Sequence, residues 1–281
     1  MPSIVIFGGG YIGQKFADYL SDAVLSTADI ADKQAVCEVL DTYQPQAVLN
    51  CAGKTGKPNV DWCEANKVPT FRSNTIGALV LAEICAERGI HLTHLASGCV
   101  YYGQSPDPAG WREDDFANPS AFYSRTKYAA DLILSHLPNV AIARLRMPID
   151  AVPGGRNLIT KLAAYPKIID VENSVTVVDD LLQAIEQLIE KRGEGIFHVV
   201  NEGTMKHRDL IALYNEIVDP NHANEWIDND DLVKLGLATK GRSNCILQNT
   251  RLRALGIEMR PISVALRDCM EKYAAAIKAA A

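Results

Sequence analysis

Short apolar runs recur along this chain, separated by stretches in which apolar residues return every three or four positions. The runs fall at residues 3–7, 23–26, 47–51, 91–96, 140–145 and 195–200. Their length and lack of in-out alternation predict strands buried on both faces. The intervening stretches at 14–20, 33–43, 75–88, 121–137 and 179–191 carry the spacing of amphipathic helices. Strand and helix patterns in alternation predict βαβ units, and so an α/β fold built on a doubly wound parallel sheet. Three stretches break the rhythm: 53–70, 103–119 and 147–173 are too long and polar for simple crossovers and are read as the lips of a site. Beyond residue 201 the pattern loosens into short helices at 207–218, 230–235 and 261–278, the last running into an Ala-rich tail that frays. The expected division is a nucleotide-binding domain at 1–146, rejoined by 174–200, and a smaller substrate-binding lobe from 147–173 and 201–281.

Composition narrows the class. With 281 residues, 48% of them hydrophobic, the chain can bury a full core. A formal net charge of −6 argues against nucleic acid or an anionic membrane as partner, since either needs clustered Lys and Arg. No apolar run approaches the roughly 20 residues of a membrane span and no leader pattern opens the chain, so a soluble cytoplasmic protein is expected. Seven scattered cysteines without C-x-x-C pairs predict reduced thiols. His91 and His94 are three apart in a predicted strand and point to opposite faces, so no metal site is expected.

Directly after the first strand stands Phe7-Gly8-Gly9-Gly10-Tyr11-Ile12-Gly13. A strand, a G-x-G-x-x-G and an amphipathic helix in succession form a dinucleotide cradle. Gly8 and Gly10 admit backbone amides to a pyrophosphate, Gly13 lets the helix approach the strand, and the helix N-terminus faces the phosphates. Glycine-rich turns also arise merely to reverse a chain, and that reading stays open for the motif alone. The second strand ends in Leu25-Ser26-Thr27 without the acid that an NAD site usually offers. NADPH is therefore expected, with Ser26, Thr27 or Lys15 meeting its extra phosphate, and NADH remains possible.

Tyr123 and Lys127 are four apart on a predicted helix, which puts phenol and ammonium on one face, and Ser97 ends the fourth strand. A fixed cation favours the phenolate, so Tyr123 is expected to exchange a proton nearer neutrality than the usual value of about 10. Lys127 would also hold ribose hydroxyls, and Ser97 the substrate oxygen. A surface tyrosine beside a solvated lysine is the plainer reading of an isolated Y-x-x-x-K.

In this order the glycine loop, Asn50-Cys51-Ala52-Gly53, Asn74, Ser97 and Tyr123-x-x-x-Lys127 resemble the extended short-chain dehydrogenase/reductases, whose fold is of the Rossmann type. Longer strings narrow the resemblance: residues 52–64, Ala96-Ser97-Gly98-Cys99-Val100, Arg146-Met147-Pro148-Ile149, Leu158-Ile159-Thr160-Lys161 and Arg242-Ser243-Asn244 are similar to bifunctional nucleotide-4-keto-6-deoxyglucose 3,5-epimerase/4-reductases. The dTDP-4-dehydrorhamnose reductases are more distant in resemblance. The resemblance implies that Cys99 and Lys161 exchange protons at carbons 3 and 5 and that Tyr123 protonates the carbon-4 oxygen as hydride arrives. The GDP-fucose synthases, which run an analogous reaction, have a cysteine at the position of Cys99. It implies cofactor contacts at Tyr11, Ile12, Asp29, Ile30, Cys51, Ala52, Gly53, Asn74 and Met147 beside those already named. It implies substrate contacts at Thr55, Asn59, Asp61, Ser97, Gly98, Asn157, Arg242 and Asn244, with Arg242 suited to a diphosphate through its bidentate fork. The partner expected is a nucleotide sugar, with a homodimer possible through helices near Tyr123. Without the resemblance, Cys99 reads as a small core residue and Lys161 as a solvent-facing lysine. Two further readings remain: a 4-reductase that receives an already epimerised sugar, and a non-catalytic subunit that keeps the fold.

Overall fold

The computed structural model describes residues 3–57, 59–239 and 241–280; Pro58 of the string noted above and Ala281 of the tail lie outside them. Strand β1 (Ile4–Phe7), helix α1 (Tyr11–Tyr19), β2 (Ala23–Ser26), α2 (Lys33–Tyr43) and β3 (Ala47–Asn50) make the first βαβαβ unit. Two short helices, α3 (Trp62–Ala65) and α4 (Lys67–Phe71), lead through a π turn at Arg72–Ile76 into α5 (Gly77–Glu87). Strand β4 (His91–Ser97), α6 (Phe122–Leu134) and β5 (Val140–Leu145) follow. A run of small elements comes next: β6 (Pro148–Ile149), α7 (Leu158–Ala164), β7 (Lys167–Ile169), β8 (Glu172–Asn173) and β9 (Thr176–Val177). Helix α8 (Val178–Glu190) and β10 (Gly195–Val199) return to the main sheet. The remainder is β11 (Met205–Lys206), α9 (His207–Ile217), β12 (Glu225–Ile227), α10 (Asp231–Lys234), α11 (Thr250–Ala254) and α12 (Ile262–Ala280).

Six strands form one parallel sheet in the order β10-β5-β4-β3-β1-β2. The six apolar runs of the sequence are its six strands, and the sheet is doubly wound. Helices α1 and α8 cover one face in a core with Ile6, Leu49 and Phe197. Helices α2, α5 and α6 cover the other, around Val5, Phe7, Val48 and Ile142. On α8 the apolar stripe Leu181, Ile185 and Leu188 is fully buried, and each such side chain contributes roughly 1.5–3 kcal/mol of transfer free energy. A third core gathers Ile149, Ile159, Val177, Leu210, Leu266 and Tyr273 under α7, α9 and α12. Val175 and Val177 pack in that smaller lobe, whereas Leu252, Ile257 and Met259 pack with the main sheet.

Strand order reverses between β1 and β3, so their carboxyl ends splay open a crevice where such sheets bind ligands. The glycines fit that crevice closely. Gly8 has φ +104°, and a Cβ there would stand 2.5 Å from the amide nitrogen of Ala52. A Cβ on Gly13 would stand 1.9 Å from the carbonyl oxygen of Gly8. Gly8 thus serves the turn and the close approach of the chain that leaves β3, and Gly13 seats α1 on the strand. Gly10 faces open space at the head of α1, which has no side-chain cap and no acid in its first turn. An uncapped helix start of this kind suits an anion.

The stretch 53–70, read as irregular, holds α3 and α4. Pro69 sits in the first turn of α4, where its missing N–H is not needed. Among the described residues, no helix is long and apolar enough to cross a membrane.

Candidate active site

Strand β4 delivers Ser97 to the crevice, and the 3-10 turn Gly98–Val100 follows at once. Ser97 Oγ accepts the amide of Cys99 at 3.2 Å and caps that turn. The same hydroxyl is near enough to the phenol of Tyr123 to favour its ionised form. Gly98 is required by crowding, since a Cβ would stand 2.5 Å from Leu247 Cδ1. Helix α6 carries Tyr123 and Lys127, and its start is held by Glu64 of the lip, whose carboxylate accepts the amide of Phe122 at 2.8 Å.

Burial works on both α6 groups. It pushes the Tyr123 proton affinity well above the ordinary phenol value; the charge of Cys99 adds to this, and the Ser97 hydroxyl opposes it. The expected lowering by Lys127 is absent, because the ammonium points elsewhere: Nζ donates to the Leu95 carbonyl at 3.0 Å. Burial lowers Lys127 itself to about 8, against the opposing influence of Asp131 and Cys51.

Gly53, Asn74 and Lys127 converge at the crevice mouth. A Cβ on Gly53 would be 3.2 Å from Lys127 Nζ and 3.4 Å from Asn74 Oδ1, so a side chain there would crowd the lysine. The π turn aims Asn74 inward, where it clamps Lys54 through N–H to Oδ1 at 2.6 Å and Nδ2 to the carbonyl at 3.1 Å, and also donates to Thr126. Cys51 and Ala52 line the same wall, with the Ala52 amide held by Asn50 Oδ1 at 3.0 Å and the buried Cys51 thiol pushed up by desolvation. Ile12 packs against the core below.

At the end of β2, Ser26 Oγ accepts the amide of Ala28 at 3.3 Å. Asp29 is exposed and meets Arg72 of the π turn at 3.3 Å, while Ile30 is buried beneath Gly77. Lys15 is drawn away from this end by Asp150 of the small lobe at 2.7 Å, and the same carboxylate accepts the phenol of Tyr11. Lys15 and Tyr11 therefore tie the glycine-loop helix to the second lobe. Met147 adopts φ +44°, an uncommon conformation for a side-chain-bearing residue, where the chain leaves β5 for that lobe.

The small lobe supplies the other wall. Lys161 on α7 is half-buried, and burial followed by the charge of Arg156 lowers its proton affinity. Asn157 has no polar atom free for a sugar: it caps α7 through Ile159 N at 3.1 Å, accepts weakly from Asp150 N, and donates to the carbonyls of Asp150 and Val152. Its task is to fix the helix that carries Lys161. Arg242, expected to be open to a diphosphate, holds Asp61 in a bidentate pair at 2.8 and 3.0 Å that spans the two lobes. Thr55 accepts from Arg156 at 3.0 Å, Asn59 makes a local turn onto the Asp61 amide at 2.9 Å, and Asn244 bridges Asn173 and Asn229.

One residue in this wall had no role in the sequence reading. Arg146 is buried, and its Nη1 lies 3.2 Å from Cys99 Sγ. The string Arg146-Met147-Pro148-Ile149 flagged the segment, yet the acid that follows it, Asp150, pairs with Lys15 and Tyr11, so the sequence announces no partner for Arg146.

The family model of the RmlD substrate binding domain matches residues 3–275. A bifunctional dTDP-4-dehydrorhamnose 3,5-epimerase/dTDP-4-dehydrorhamnose reductase of Arabidopsis thaliana is 34% identical over 264 residues, covering 92% of this chain and 87% of that protein. The crystal structure of a UDP-rhamnose synthase from Acanthamoeba polyphaga mimivirus superposes with a TM-score of 0.89 at 28% identity, over 96% of this chain and 98% of that one. A dTDP-4-dehydrorhamnose reductase from Bacillus anthracis, solved in complex with NADP, shares the fold with a TM-score of 0.81 at 22% identity, over 97% and 99% of the two chains. With a family match across nearly its whole length, this chain belongs to the RmlD substrate binding domain family.

Proposed function

We propose that the protein is a bifunctional 3,5-epimerase/4-reductase that converts a UDP- or dTDP-4-keto-6-deoxyglucose to the nucleotide-L-rhamnose with NADPH. Family membership carries the reductase half. The epimerase half rests on one observation: Cys99 stands on the turn that Ser97 caps, close enough for its charge to act on the Tyr123 proton. A thiol and a phenol so close together suit proton exchange at neighbouring atoms of one sugar ring.

The crevice fits a dinucleotide: Gly10 leaves the amides of α1 open to a pyrophosphate, and Gly53, Asn74 and Lys127 frame a space that a single Cβ would fill. NADPH, when bound, supplies the hydride for carbon 4. The absence of an acid at Ser26 and Thr27 leaves room for its 2′-phosphate.

A ketone at carbon 4 acidifies the protons at carbons 3 and 5. Cys99 and Lys161 are the groups suited to take and return them, burial lowering the proton affinity of the Lys161 amine. Ser97 donates to the carbon-4 oxygen and so stabilises negative charge there in both halves of the reaction. Tyr123 keeps its proton in the closed site because burial and the nearby thiol raise its affinity, and it releases that proton to the far more basic alkoxide. Lys127 orients ribose hydroxyls from the floor.

The test mixes protein, UDP-4-keto-6-deoxyglucose and NADPH in deuterium oxide. The expected product is UDP-L-rhamnose labelled at carbons 3 and 5. In Cys99→Ala the label at those carbons should disappear while a pre-epimerised 4-keto-rhamnose nucleotide is still reduced. An unlabelled 6-deoxyglucose-type product from the parent protein would leave a plain 4-reductase.

A further inference from the structure

Arg146 is about 1% exposed and has no carboxylate partner among the described residues. Its Nη2 donates to Asn173 Oδ1 and the Ser243 carbonyl, and its Nη1 to Ser243 Oγ at 3.3 Å, all neutral acceptors. Its Nε is buried without any partner. A buried guanidinium with only neutral neighbours is costly, because its desolvation goes uncompensated. The remaining contact is Cys99 Sγ, at 3.2 Å from Nη1.

We infer that Arg146 is the positioning residue that holds Cys99 as a thiolate, the two forming a buried ion pair that readies the sulfur to take a proton from the sugar. This inference rests on the proposed epimerase role of Cys99. The groups facing the pair are few. Cys245, the second thiol near Arg146, is pushed up by burial and donates to the Gly98 carbonyl at 3.5 Å, so it stays neutral. His207, which also feels Arg146, is kept neutral by burial and bonds the Ile169 carbonyl at 2.8 Å. Tyr123, near Cys99, retains its proton because burial raises its affinity. Of these groups, Cys99 is the one whose side chain contacts the Arg146 guanidinium directly, its sulfur 3.2 Å from Nη1. In the first step the C–H bond at the sugar breaks, its electron pair enters the enolate stabilised at carbon 4, and the proton joins sulfur as a neutral thiol. The proton's return to the opposite face involves Lys161, and a proton exchange restores the thiolate.

The test reads thiolate character without turnover. The whole protein is treated with iodoacetamide in the absence of substrate, and alkylation of Cys99 is followed by peptide mass spectrometry, with Cys99→Ser as the blank. An ordinary cysteine ionises near 8.5, so its alkylation rate rises about 30-fold between pH 7 and pH 10. For Cys99 the rise should be less than about threefold. Arg146→Met should slow alkylation at pH 7 by about tenfold or more and converge with the parent at pH 10, and Arg146→Lys should restore part of the difference. Loss of structural contacts alone would not produce convergence at high pH. If Arg146→Met does not fold, the parent profile decides: a rise near 30-fold overturns the inference. Absence of deuterium exchange with a flat alkylation profile would remove the epimerase role and leave the ion pair. Deuterium exchange with an ordinary profile would do the reverse.

Discussion

Two arginines two residues apart at the end of β5 are equally buried and differently surrounded. Arg144 donates through Nε to Asp131 at 2.8 Å, a carboxylate that is itself fully buried, and through Nη1 to the Tyr101 hydroxyl at 2.7 Å. The Tyr101 ring stacks on Trp111 at 4.7 Å, so the pair is wedged into an apolar cluster. Arg146 meets amide, hydroxyl and carbonyl oxygens and one sulfur. The first arrangement is closed: charge is answered by charge, and no ligand is needed. The second has no carboxylate among the described residues, and its guanidinium lies against the sulfur of Cys99. Both are equally buried, so the residues they meet, not their burial, separate a structural cation from a functional one.

Stability measurements should separate them first. Asp131→Ala strands Arg144 in a dry interior and should cost about 3–5 kcal/mol in urea unfolding. Arg146→Met removes a cation whose partner, the sulfur of Cys99, can take up a proton and stay neutral, so no charge is stranded and lost hydrogen bonds are offset by relieved desolvation; the cost should be less than about half as large. Equal losses would make Arg146 a second structural anchor and sink the contrast.

Lys127 is a third buried cation, between the two extremes, with a carbonyl for a partner and a pKa of about 8. Its ammonium is present below that value and is lost as pH rises through it. Reduction by the free enzyme, read as kcat/KM, should fall about tenfold per pH unit above about 8. Between about 8 and the unfolded value near 10.5 the unfolded chain binds the extra proton, so this one group makes stability rise with pH, by at most about 1.4 kcal/mol per unit. Lys127→Met should abolish both trends. A kcat/KM that stays level past pH 9 would mean that the ribose is held without the charge.

These contrasts mark where sequence stops being informative. The sheet was legible because a strand buried on both faces must be continuously apolar, and the six runs of that kind pair in parallel. Gly13, Ser97, Tyr123 and Lys127 were legible because their spacing is set within one turn or one strand end. Arg146, Arg156 and Arg72 were not. Arg146 meets Ser243 some 97 positions later and Arg156 meets Thr55 101 positions earlier, so only the fold introduces them. The same distance hid the occupation of Arg242 by Asp61. Asn157 was misjudged for the opposite reason: a buried asparagine near a site resembles a ligand contact until its backbone partners are seen. Tyr123 shows that spacing fixes proximity but not the electrostatic outcome, since a lysine four residues on still directed its charge to the Leu95 carbonyl.

The smallest effect concerns the pair that crosses the cleft. Asp61 and Arg242 are partly exposed, at 22% and 29%, so their contact contributes at most about 1 kcal/mol. Its importance is in competition: a nucleotide diphosphate that needs the fork of Arg242 must first displace Asp61. Asp61→Asn keeps the shape and removes the rival charge. It should leave the unfolding midpoint nearly unchanged and tighten UDP binding by roughly two- to fivefold, the factor equivalent to a pair of this strength. Titration calorimetry with UDP reads the difference directly. Weaker binding in Asp61→Asn would show that Asp61 orients Arg242 toward the diphosphate, and the partly exposed pair would then join Arg146 and Cys99 as one whose worth lies in the ligand.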